Sequence, residues 1–169
     1  MSAKQFLLTV VTPDKSFMTE VPVTSVGAFG QEGAFTALPG HMPFLTSLKP
    51  GVVSYRDSQG EMDNFFVSGG FVEVLPNKVT ILADSAEILD EIDLERAEKS
   101  RQRAQQRLAD AKKLSSGAKA SEETPKPGDE TAEEKKDRID IMRAEIALAK
   151  ATARTRIARN KSKYQHKKM

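Results

Sequence analysis

The spacing of apolar positions divides the chain into two regimes. Up to about residue 86, short apolar runs recur between turn residues: Phe6–Val11, Val21–Phe29, Ala34–Leu38, Phe44–Leu48, Val52–Tyr55, Asn64–Val67, Phe71–Leu75 and Val79–Ala83. Thr12-Pro13-Asp14, Pro39-Gly40, Pro50-Gly51, Asp57-Ser58-Gln59-Gly60, Gly69-Gly70 and Pro76-Asn77 separate them. In such punctuation proline presets φ and glycine reaches positive φ, so each break is a turn with a mechanism. No helical stretch intervenes, which predicts an antiparallel sandwich or flattened barrel rather than βαβ units.

Beyond residue 86 the period changes. Asp93 is placed to cap a helix through Leu94, Ala97, Ala104, Leu108 and Ala111, a narrow stripe interrupted by Arg101. From Ser115 to Asp129 there is no apolar pattern and there are two prolines, which predicts a mobile linker over about 115–130. Thr131-Ala132-Glu133-Glu134 has capping-box spacing. The helix that follows, to about residue 163, is expected to seat Ile139, Met142, Ile146, Ala149, Ala153 and Ile157 on one partner face. The expected organisation is therefore a sandwich over 1–86 and a helical domain over 87–169, with its first helix over about 93–114.

Composition sharpens the same boundary. All eleven valines, all eight phenylalanines and eight of the ten glycines lie before residue 86, whereas Ala, Lys, Arg and Glu dominate after it. The first part carries net −3 and the second net +5, so the basic excess belongs to the helices. It concentrates in residues 142–169, which hold nine Lys and Arg against the single acid Glu145. A solvated helix face, a nucleic-acid or lipid contact, and docking on an acidic protein surface all fit that charge. Without cysteine the chain has no disulfide framework, thiolate zinc site or cysteine nucleophile. No apolar run approaches the roughly 18 residues of a membrane span, and Met1-Ser2-Ala3-Lys4-Gln5-Phe6 lacks a signal-peptide core. Membrane association is expected only through partners, without direct insertion.

Catalytic chemistry finds no footing in this pattern. The first domain has one histidine, His41, and no carboxylate pair at a spacing that fixes its geometry. Gly27-Ala28-Phe29-Gly30-Gln31-Glu32-Gly33 lacks the Lys-Ser/Thr of a phosphate-binding loop and no helix follows it, so its glycines read as hairpin residues. The expectation is a chain with no active site, metal or required cofactor.

Five segments in order carry a specific resemblance: Glu32-Gly33-Ala34-Phe35; Leu38-Pro39-Gly40-His41-Met42-Pro43; Leu48-Lys49-Pro50-Gly51; Val67-Ser68-Gly69-Gly70-Phe71-Val72-Glu73-Val74; and Thr80-Ile81-Leu82-Ala83-Asp84. Together they resemble the epsilon subunit of bacterial F-type ATP synthase, the counterpart of mitochondrial delta, over residues 4–113 and again from about 138. The resemblance implies a sandwich of about ten strands followed by a two-helix hairpin. It also implies a non-catalytic rotor role, peripheral on the cytoplasmic face of the inner (plasma) membrane of a proton- or sodium-driven synthase. The partners it implies are the gamma subunit, the c-subunit ring, and the alpha and beta subunits of the catalytic head, with no nucleic acid. The loops near Glu32 and His41 would then face the c ring, and Arg154, Arg156, Arg159 and Lys163 an acidic segment of the beta subunits, inhibiting ATP hydrolysis.

An ATP-sensing module is the alternative reading. Ile92-Asp93-Leu94-Glu95-Arg96-Ala97 matches the I-D-x-x-R-A pattern through which some members of the family bind ATP. The second-helix partner pattern, A-L-x-R-A-x-x-R, is met here by Ala147-Leu148-Ala149-Lys150-Ala151-Thr152-Ala153-Arg154, with Lys150 in place of an arginine. The implied contacts are Ile92, Asp93, Arg96, Ala97, Lys150 and Arg154. Because lysine replaces a bidentate fork with a point charge, only weak ATP binding is expected.

Overall fold

The computed structural model describes residues 4–117 and 132–160. Nine strands form in sequence: β1 (Phe6–Val11), β2 (Ser16–Gly30), β3 (Gly33–Ala37), β4 (Phe44–Leu48), β5 (Gly51–Asp57), β6 (Met62–Val67), β7 (Gly70–Leu75), β8 (Lys78–Ala83) and β9 (Ala86–Ile88). A 3-10 turn at Leu89–Glu91 leads to helices α1 (Leu94–Gly117) and α2 (Ala132–Arg159).

The long strand β2 organises the sandwich. Its first part pairs with β1, placing Phe6 opposite Val23 and Val10 opposite Met18, and its second part pairs with β3 on one edge and β5 on the other. One row of strands therefore runs β2-β1-β8-β7-β4 and the other β3-β2-β5-β6-β9. Nine strands make two five-stranded layers because β2 serves both, which accounts for the expected ten. All pairings are antiparallel except β1 with β8, where Leu7 to Val11 run parallel to Lys78 to Leu82. That pair corrects the purely antiparallel expectation: β1 lies between β2 and β8, which run in opposite directions, so it can be antiparallel to only one of them.

Alternation along the strands fills the space between the layers. Leu8 and Val10 of β1, Val23 and Val26 of β2, Val72 and Val74 of β7, and Val79 and Ile81 of β8 are fully buried in one cluster with Val53, Phe65 and Val67. β-branched side chains suit such a surface, and dense interiors of this kind resist deformation. At the β6–β7 corner the buried Ser68 is satisfied by Ser85, whose Oγ donates to the Ser68 Oγ at 2.8 Å while the Ser68 N–H donates to the Ser85 carbonyl.

The boundary expected at residue 86 falls inside β9. Ala86, Glu87 and Ile88 pair with Val67, Phe66 and Phe65 of β6, and Leu89 and Ile92 beyond them are buried. Phe66 alternates with core-facing Phe65 and so points away from the core, yet it too is fully buried. By packing, the described residues up to Asp93 form one unit together with residues 156–160, and those from Leu94 to Thr155 form the other. Ile157 and Ala158, both buried, fall in the first unit.

The helices depart from expectation at their ends and on one face. α1 continues to Gly117, three residues into the segment read as linker, and the rest of that segment lies outside the described residues. Ala97 and Ala104 are buried as expected, but Leu94 is exposed. In α2 the face expected to be covered is largely solvent-facing: Ile139, Met142, Ile146 and Ala149 are exposed. The inward positions are instead Ile141, Ala144, Leu148, Ala151, Thr155 and Ala158, spaced at alternating three and four residues. The helix carries two apolar stripes about two residues out of phase, so spacing alone did not identify the inner one. Lys112 of α1 meets Glu145 of α2 at 3.2 Å.

Candidate functional site

The outward side of the β4-β7-β8-β1 layer carries large apolar side chains in register. Ser47 faces Phe71, Phe71 faces Leu82, and Leu82 faces Val11, forming one row across four strands. In the next row Leu45 stands opposite Glu73 and Glu73 opposite Thr80. Directly opposed side chains on one sheet face have Cβ atoms about 5 Å apart, so Phe71 and Leu82 form one surface. Phe71 and Leu82 are each 56% exposed and Leu45 70%. Clustered exposed apolar groups of this size mark an interaction face, whereas scattered ones do not.

Gly70 lets this row form. It opens β7 at φ 125°, and a Cβ there would overlap the carbonyl oxygen of Leu82. Only glycine allows β7 to approach β8 so closely, which sets Phe71 against Leu82. The row escapes the sequence reading because Phe71 and Leu82 appear there only as members of apolar runs, with no face assigned to them. Its signal was the period of two: Val72, Val74, Val79 and Ile81 occupy the alternate positions.

Glu32 and His41 do not come together. Glu32 is exposed in the two-residue turn joining β2 to β3, beside the end of β4, where the Gln31 N–H donates to the Ser47 carbonyl at 2.9 Å. His41 lies past the other end of β3, whose five residues alone span about 16 Å. Its ring packs 5.3 Å from Phe44, which meets Phe35 edge-on at 5.0 Å. His41 Nδ1 lies 2.9 Å from the Met42 carbonyl, and the Gly40 N–H donates to the Pro76 carbonyl at 2.7 Å, tying this loop to the β7–β8 turn. Next to the histidine, Met42 is 79% exposed and Leu38 also projects. The Phe71 row adjoins the Glu32 end of the sandwich, through Ser47.

The helical candidates separate by burial. Ile92 and Ala97 are buried and present no group to a ligand, whereas Asp93, directly ahead of α1, and Arg96 are exposed. Lys150 and Arg154 are half-buried, with the Arg154 Nε shielded from solvent, and Arg156 and Arg159 are exposed. Lys163 lies outside the described residues. Ile92 and Asp93 belong to the unit containing the sandwich, and Arg96, Ala97, Lys150 and Arg154 to the other. Among the described residues no three His, Cys, Asp or Glu are grouped to hold a metal ion, and no helix is long and apolar enough to cross a membrane.

Comparison with known proteins agrees with this architecture. The family model for the ATP synthase delta/epsilon chain beta-sandwich domain matches residues 5–89, the strand-bearing part up to the first residue of the 3-10 turn. The ATP synthase epsilon chain of Nitratidesulfovibrio vulgaris is 41% identical over 157 residues, covering 93% of this chain and 98% of its own length. That of Herpetosiphon aurantiacus is 39% identical over 152 residues, covering 90% and 93%. Among solved structures, a chain of the Euglena gracilis mitochondrial ATP synthase superposes with a TM-score of 0.63 at 24% identity, covering 88% of this chain and 78% of that one. Sandwich, helices and similarity over nearly the full length coincide, and the chain belongs to the ATP synthase delta/epsilon family.

Proposed function

We propose that this chain is a non-catalytic central-stalk subunit of a rotary ATP synthase, coupling the gamma subunit to the c-subunit ring. It acts peripherally at the cytoplasmic face of the inner membrane, where its helices meet the alpha and beta subunits of the head and restrain ATP hydrolysis. The observation carrying the reading is the outward row of Phe71 and Leu82, with Leu45 beside it, on a densely packed sandwich in a chain of this family. Torque transfer needs a body that does not deform and a surface that holds its neighbour. The sandwich supplies the first, and the sheet face is the seat we assign to gamma.

Covering the exposed parts of Phe71, Leu82 and Leu45 supplies on the order of 1 kcal/mol each, so loss of one should weaken docking measurably. The test is copurification of the tagged full-length chain with gamma, c, alpha and beta subunits from membranes. The unaltered chain is expected to bring down all four, and Leu82→Glu to lose them while remaining folded by circular dichroism. Full recovery of the complex with both Phe71→Glu and Leu82→Glu would remove this face from the interface. Copurification of nucleic acid in place of the synthase subunits would overturn the rotor reading itself.

A further inference from the structure

We draw no further inference here: the strongest candidate, the exposed apolar stripe of Ile139, Met142 and Ile146 along α2, has nothing in the structure to show what covers it.

Discussion

Ile81 and Leu82 are adjacent and chemically alike, yet the pleat of β8 sends one into the core and leaves the other in solvent. Their substitutions should therefore separate stability from docking. Ile81→Ala leaves a cavity among Val10, Val72 and their neighbours and is expected to cost about 2–5 kcal/mol in denaturant unfolding. Leu82→Glu, at an exposed position, should change stability by less than about 1 kcal/mol while abolishing capture of the stalk. Equal losses of stability in the two would mean that Leu82 belongs to the fold. Tyr55 offers a second residue-scale test, in pH. Burial, reinforced by Asp63 across the strand pair, pushes its phenol up to about 12, and the hydroxyl donates to Asp63 Oδ2 at 3.2 Å. The folded state thus favours the protonated phenol. In the unfolded chain the group ionises near 10, so its stabilising effect is complete below pH 10 and is lost as pH rises toward 12. Thermal melts should show that decline, and Tyr55→Phe should make it shallower.

At the scale of elements, strands were legible where β-branched and aromatic residues fill a run bounded by turn chemistry, as in β7, with its Val72 and Val74 core positions. The first part of β2 was not, because Ser16 to Glu20 is polar or only half-buried and Pro22 interrupts the pattern. β9 was missed because three residues cannot display a period, and the β1–β8 pair because parallel partners far apart in sequence leave no local mark. In the helices alanine occurs on every side, so small residues inside and larger ones outside gave the wrong stripe for α2. The site was less legible than the fold: its loops were named, but its sheet face depends on register. This hidden β9 edge predicts the behaviour of fragments. Cutting after residue 86 removes most of the partner strand of β6 and deletes Leu89 and Ile92, each worth roughly 1.5–3 kcal/mol when fully buried. A 1–93 fragment should consequently unfold cooperatively and at several kcal/mol higher stability than 1–86. Identical denaturation midpoints would show that the segment after residue 86 adds nothing to the sandwich.

Over the whole molecule, net charge changes sign between the strand-bearing and helical parts of the sequence. The acidic sandwich sequence and basic helical sequence, net −3 and +5, favour different neighbours. Arg156 and Arg159 are exposed cations near the end of α2, whereas Arg154 is half-buried, so the exposed pair gives the cleaner test of an electrostatic brake. Arg156→Ala with Arg159→Ala should raise ATP hydrolysis by the assembled head at low ionic strength, and salt should narrow the difference as it screens the attraction. Rates unchanged at both salt levels would exclude that brake. ATP sensing would draw on the polar groups among the candidate contacts. Ile92 and Ala97 are buried and supply packing, leaving Asp93 and Arg96 on the first segment and Lys150 and Arg154 on α2 as polar candidates. A ligand at a hundred times its dissociation constant would stabilise the folded chain by about 2.7 kcal/mol, readily seen as a shift in melting temperature. With Lys150 offering a point charge where a guanidinium would fork onto phosphate, we expect no resolvable shift at micromolar ATP and a modest one at millimolar ATP. Arg96→Ala should abolish the millimolar shift and Lys150→Arg should enlarge it. Saturation at micromolar ATP, unaffected by Lys150→Arg, would instead make this chain an ATP sensor whose grip does not depend on an arginine at position 150.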